Sequence, residues 1–224
     1  MSWKLTRDLF ALAVVATIVV LALVFGPLLP DPVPSHFDLL GNVDHYMPRA
    51  NFLLMIVGVA VGLYLGLTFV PFIDPFWKSI QPRYYVLMLI RDFILGFVLV
   101  VFLLTVFASR DGHLPLNMLG VSMGVLFALI GNYLPRVPRN WFFGIRTPWT
   151  LVSDTVWQRS HVLGGAMFVA SGVLTALLSL VGVGLQYVLL PTLLITTIVS
   201  GFVYPFLLNR RLQKEGADTT DDRL

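Results

Sequence analysis

The sequence predicts an all-α polytopic integral membrane protein, with six transmembrane helices and both termini cytoplasmic. Three observations carry that reading. Of 224 residues, 57% are hydrophobic and only 12% charged, at a mean hydropathy of +0.85. A soluble domain carries about one charged residue in four, so a water-soluble enzyme and a disordered chain are both excluded. Six apolar stretches of spanning length follow one another, since a helix needs about 20 such residues to cross the hydrocarbon core. Lysine and arginine, finally, segregate between alternate loops.

The first stretch, Leu9–Leu29, follows Lys4 and Arg7. It outruns the apolar region of a secretory signal, and Phe25-Gly-Pro-Leu-Leu29 has no small-residue cleavage site, so it reads as a retained anchor. Phe52–Ile73 is the second span. Tyr84–Phe107 is the third, interrupted by Arg91 and Asp92. The fourth is Leu114–Leu134 and the fifth His161–Leu180. The sixth, Leu185–Leu208, is set off by a tight Val181-Gly-Val-Gly184 turn. Thirteen of the 15 lysines and arginines lie before the first span, around the second and fourth loops, or in the tail; only Arg49 and Arg110 lie opposite. Cations stay cytoplasmic, which sets the orientation.

The expected division is a two-helix unit over 1–80 with outer loop 30–51, a four-helix unit over 81–208 with inner loop 135–160, and a cytoplasmic tail over 209–224. From Gln213 the tail is polar and expected to lack fixed structure. Small residues let helices approach in lipid, so Gly58, Gly62 and Gly66, and likewise Gly120 and Gly124, predict intramolecular packing, with dimerisation as the alternative. The chain has no cysteine, which excludes disulfides, thiolate metal sites and cysteine nucleophiles. No cofactor is implied. A net charge of +3 points to no direct nucleic-acid contact, because in a membrane protein the placement of charge outweighs its sum.

Polar residues concentrate in three places. In the outer loop, Pro30, Pro32 and Pro34 force an extended path and Gly41-Asn42 predicts a turn. His36, Asp38, Asp44 and His45 have the donor types of a metal site, with His36, Asp44 and His45 the weak candidates. They lack a metal-binding spacing, and hydrogen bonding across the turn is the stronger expectation. Within the third span, Arg91 and Asp92 are adjacent and so are not expected to pair. Arg91 is expected near the cytoplasmic rim with its side chain reaching outward, and Asp92 in an ion pair with an inner-loop arginine or, alternatively, in an ion relay. The inner loop holds Trp141, Trp149 and Trp157 among Arg136, Arg139, Arg146 and Arg159, as a segment at headgroup level does. Ser153 is placed to cap a helix with Asp154 in its first turn, and Trp157 and His161 then share a face. No nucleophile accompanies His161, so an ordinary hydrogen-bonded histidine is expected.

Gly131-Asn132, then Asn140-Trp-Phe-Phe-Gly-Ile-Arg-Thr-Pro-Trp-Thr-Leu151, then Trp157 and His161 before Gly164, resemble the signature of the SdpI family of bacterial immunity proteins. Pro34-Ser-His-Phe-Asp-Leu-Leu-Gly41 followed by Asp44 resembles the domain of unknown function that accompanies it, with Asp38 standing where the family commonly has asparagine. The resemblance implies a plasma-membrane protein, not an enzyme, that protects its producer against a secreted peptide toxin. In the best-known system of the family it also holds a transcriptional repressor at the membrane. On that implication His36, Phe37, Asp38, Asp44 and His45 would meet the toxin or ligand. Asn132, Asn140, Gly144, Arg146, Thr147, Trp149, Trp157 and His161 would form the inner functional motif. The implied partners are membrane lipid, the peptide toxin, a cytoplasmic repressor and a second copy of the chain. The alternative is a small ion-coupled transporter with Asp92, Asn117 and Asn132 along its path, although paired interrupted helices and an inverted repeat are missing. A membrane enzyme with an outer-loop metal ranks third.

Overall fold

The computed structural model describes residues 5–221, with side chains over 8–216. Lys4 and Arg223, used in the charge count, lie outside the described residues, as does the side chain of Arg7. The chain runs through α1 (Leu5–Phe25), strands β1 (Val33–Phe37) and β2 (Val43–Met47), α2 (Arg49–Phe69), the short α3 (Trp77–Ile80), α4 (Tyr84–Asp111) and α5 (Leu116–Tyr133). It continues through the short α6 (Pro148–Val152), α7 (Asp154–Leu180), α8 (Leu185–Thr196), a π-helical segment (Thr197–Val203) and α9 (Tyr204–Asp221). Six of these stretches are long and apolar enough to cross a membrane, α8 to α9 counting as one. The six-span, helical expectation therefore holds.

Helix ends follow from prolines. Gly26–Leu28, Val70–Ile73, Gln81–Arg83 and Leu134–Arg136 are single 3₁₀ turns, each with proline in its first two positions. Proline has no N–H for an i−4 carbonyl, so the α-helical ladder fails there. In the sixth span Pro191 and Pro205 leave ladder carbonyls free in the same way, and the wider π segment lies between them.

Two expectations fail here. The tail from Gln213 is helical, because α9 continues to Asp221. Extending a helix is far easier than starting one, and Arg211 Nε bonds Glu215 Oε1 at 2.7 Å one turn on. The Gly58, Gly62 and Gly66 stripe packs against nothing among the described residues: a Cβ at any of the three would find none of their atoms within 4 Å. The second stripe behaves as expected. At Gly124 a Cβ would meet the Gly172 carbonyl and Ala176 of α7, and at Gly131 the Gly165 carbonyl at 2.7 Å, so α5 and α7 touch backbone to backbone.

A second apolar core joins α1, α2 and α4 through Ala11, Ile18, Phe52, Ala60, Leu95 and Phe102. Loops meet in alternate pairs at the two ends of the bundle. At one end Leu114 N donates to Gly41 O at 2.8 Å, tying the α4–α5 connection to the β-hairpin. At the other, Trp141 N donates to Asp74 Oδ2 at 2.8 Å, tying the long α5–α7 loop to the α2–α4 connection.

Candidate functional site

The long loop between α5 and α7 is built around Asn140, which is fully buried. Its Nδ2 donates to the carbonyls of Pro138 (2.8 Å) and Phe143 (3.0 Å), while its Oδ1 accepts from Phe142 N (2.8 Å) and Phe143 N (2.6 Å). One amide thus closes a turn in which prolines leave few backbone donors. Thr147 caps α6 reciprocally with Thr150: Thr147 N donates to Thr150 Oγ1 at 2.8 Å and Thr150 N to Thr147 Oγ1 at 3.3 Å. Ser153 caps α7 through Val156 N, as expected.

Trp157 and His161 do share a face, their rings stacked 4.1 Å apart. Trp157 Nε1 donates to Val137 O at 2.9 Å, and His161 Nδ1 donates to Trp157 O at 2.8 Å. His161 Nε2 accepts from Ile145 N at 3.0 Å. With one ring nitrogen facing a carbonyl and the other an N–H, the imidazole is held as its neutral Nδ1–H tautomer. Both nitrogens are engaged, so the ring acts as a peg rather than a base. Gly144 sits over it at φ +96°, where a Cβ would collide with His161 Nε2. Trp149 leaves the loop to stack edge-on against Phe206 of α9 at 5.3 Å.

Most of the inner motif is thus committed to the loop's own architecture. The exposed remainder is Arg146, Trp141, Phe142 and Asn132. Arg146 Nη1 donates to Trp141 O at 2.6 Å, and the residue is exposed. Asn132 contributes its carbonyl to Arg136 at 2.7 Å. Arg139 lies over the Phe76 ring at 4.7 Å, with its Nε 2.9 Å from Asp154 Oδ1.

The charges in the third span are arranged unlike the expectation. Arg91 does not reach toward a rim; it is fully buried, and its Nη1 donates to Asp8 Oδ1 at 2.6 Å and to Thr68 Oγ1 at 2.8 Å. Its Nε and Nη2 both donate to Asp92 Oδ1, at 3.0 and 2.8 Å. Cβ atoms at i and i+1 diverge on a helix, which is why adjacent residues are not expected to pair. A guanidinium carries its donors far enough from its own Cβ to fold back over its neighbour. Asp92 accordingly pairs with Arg91 and not with an inner-loop arginine; of those, Arg139 pairs with Asp154. The three polar residues proposed for a transport path are not gathered: Asn117 opens α5, Asn132 closes it, and Asp92 lies on α4.

At the opposite end the outer loop is an antiparallel β-hairpin, with Val33 opposite Met47 and Phe37 opposite Val43. His36 Nδ1 donates to Asp44 Oδ1 at 2.6 Å, the cross-turn pairing expected. Asp38 Oδ1 accepts from Leu40 N (2.8 Å) and Asn42 N (2.9 Å), and its Oδ2 from Asn42 Nδ2 (3.1 Å). The Asn42 N–H above all holds the Asp38 carboxyl below its ordinary range. His45 lies across from His36 in the ladder. Among the described residues no three histidines or acids converge as a metal site would need. Arg49 pins the hairpin's base, donating from Nη1 to Leu29 O at 3.1 Å and from its backbone N to Asp31 Oδ1 at 3.1 Å.

Asp8, Thr68, Asp74 and Thr150 are structural keys that sequence reasoning passed over. Asp74 had a signal, as an acid flanked by proline in a loop between spans. Asp8 also had one: it is the lone acid beside the first apolar run.

Six spans, a buried arginine–carboxylate network and a rigid basic loop define a multi-pass membrane protein. Residues 136–206, from the inner loop to α9, match the SdpI/YfhL protein family, and residues 12–61, from α1 through the hairpin into α2, match the domain of unknown function DUF1648. The resemblance carried by the two motifs is thereby borne out. Over 174 residues the chain is 22% identical to the immunity protein SdpI of Bacillus subtilis (strain 168), covering 77% of this chain and 81% of that protein. No solved structure matches.

Proposed function

We propose that the chain is an immunity protein of the bacterial plasma membrane, conferring resistance to a secreted peptide toxin. The observation that carries the reading is the co-linear likeness to a protein named for immunity over 77% of the chain, with the family segment falling on the rigid inner loop. In this reading both termini are cytoplasmic and the hairpin faces outward. The toxin meets the hairpin around His36, Phe37, Asp38, Asp44 and His45, and the loop bearing Arg146 and Trp141 presents a basic, aromatic face to the cytoplasm. Such a face suits an acidic protein surface, and a repressor held there would couple occupancy to transcription. His161, with both ring nitrogens engaged, serves in this reading to hold the loop's shape.

Expression in a toxin-sensitive bacterium, followed by challenge with purified peptide toxins, tests the reading. Survival above the vector control is expected with at least one toxin. Equal killing of expressing and control cells across the panel, at verified membrane abundance, would discard it.

A further inference from the structure

Asp92 lies within the apolar Trp77–Asp111 stretch, on the outer surface of the bundle, with one carboxylate oxygen unused. Both Arg91 donors go to its Oδ1, and its Oδ2 accepts no hydrogen bond from the described residues. The side chain is 13% exposed. It heads a furrow of about 300 Å³ among α1, α4 and α5, walled by Phe10, Phe93, Gly96, Phe97, Leu126 and Ser122, whose hydroxyl is turned to Leu119 O. On its other side a second depression of about 520 Å³ continues along α4 past Leu89, Met88 and Tyr85 to Gln81. Asp92 lines both. From Gln81 to Val100 the surface runs roughly 28 Å at a helical rise, about the thickness of the hydrocarbon core.

A carboxylate oxygen open to hydrocarbon is costly and marks an interior partner or a ligand. Arg91 turns Nε and Nη2 to Asp92 Oδ1 and Nη1 to Asp8 and Thr68, and none of these bonds reaches Oδ2. A lipid chain fills an apolar furrow but brings no donor to Asp92. A small metal cation needs several oxygen ligands, and the furrow's walls are mostly aromatic and aliphatic carbon. A spanning helix with one cationic side chain meets both demands: its apolar face covers the furrow and its charge complements the carboxylate.

We propose that this face of α4 docks a membrane-inserted apolar helix bearing a lysine or arginine near mid-membrane, its cation bound to Asp92 Oδ2. Identifying that helix with a toxin already in the bilayer rests on the immunity reading; the docking itself does not.

The test uses the full chain in phosphatidylcholine vesicles. The absence of native cysteine allows a donor fluorophore at Asp111→Cys alone. The probes are two acceptor-labelled synthetic leucine–alanine helices of about 21 residues, one with a central lysine and one with leucine there. The lysine helix is expected to associate about tenfold more tightly, and Asp92→Asn to bring the two within about twofold. Gly96→Leu fills the furrow without displacing backbone, since a Cβ there meets nothing within 4 Å; it should weaken both helices while leaving the Arg91–Asp92 pair in place. Equal association of the two probes with the parent would overturn the proposal. So would an undiminished lysine preference in Asp92→Asn, or self-association of the chain through the furrow that excludes both probes. Equal association of the two probes with a parent chain that protects cells would reject the docking and leave the immunity reading standing; a lysine preference in a parent chain that protects no cell would do the reverse.

Discussion

Arg91 and Asp8, 83 positions apart, meet at 2.6 Å with both side chains fully buried. The contact joins α1 to α4, and Thr68 of α2 shares the same Nη1, so one guanidinium holds three spans together. Removing it leaves buried carboxylates without their cation, which costs about 3–5 kcal/mol in comparable sites. Arg91→Leu is therefore expected to lower unfolding stability in mixed micelles by roughly that amount. Arg91→Lys should recover only part, because one ammonium cannot serve Asp8, Thr68 and Asp92 with the geometry of a fork. A parent-like unfolding curve for Arg91→Leu would show that the network contributes nothing.

Gly144→Ala places a methyl group where His161 Nε2 sits and strains a backbone at φ +96°. A loss of about 2 kcal/mol is expected, felt locally. Limited proteolysis of the inner loop should accelerate, while the α1–α4 core keeps its hydrogen-exchange protection. Unchanged proteolysis would mean that the ring can step aside.

Arg146 tests whether the inner loop acts beyond its own folding. Arg146→Ala should insert normally, since Arg136, Arg139 and Arg159 still fix the side of the loop, yet protect cells less at equal abundance. Lysine should restore little if two-pronged recognition is required and most of the effect if charge alone matters. Full protection by Arg146→Ala would make the residue a headgroup anchor.

The hairpin turn should respond to acid. Asp38 is held below its ordinary value of 3.8 by the N–H groups it accepts from. Its contribution to turn stability is thus complete above that value and fades as pH falls through the lower folded-state value. Leu40 and Asn42 amide resonances, followed in nanodiscs, should stay in place down to about pH 4 and move below it. In Asp38→Asn they should not titrate; a shift already complete at pH 5 would contradict the assignment.

Orientation is testable with single cysteines in a chain that has none. Ser35→Cys in the hairpin should react with an impermeant maleimide in intact spheroplasts, and Arg159→Cys only after lysis. The opposite pattern would invert the bundle.

What sequence made legible was whatever depends on local spacing or on bulk polarity. Trp157 and His161 were placed together by one helical turn, Ser153 by its position before an acid, and the spans by their length. What escaped depends on partners far along the chain. Asp8 and Asp74 lie far along the chain from their partners Arg91 and Trp141, so no local spacing points to either contact. Arg91 and Asp92 were read through the divergence of their Cβ atoms, a rule about where side chains start rather than where long ones end. The glycines of α2 and α5 have the same spacing, yet only those of α5 face a neighbour; a pattern of small residues records a permissive surface, not its occupant.

The Arg91 network also bears on how the protein is made. Asp8, Thr68, Arg91 and Asp92 all precede the end of α4, so every member exists before ribosomes reach the fourth span. A nascent chain entering the bilayer with an unmatched arginine or aspartate faces a penalty at each crossing. Here the third span carries in the counter-charge for the first, and the three can leave the translocon with Asp8 already matched by Arg91 before α5 and α7 arrive to zip against each other.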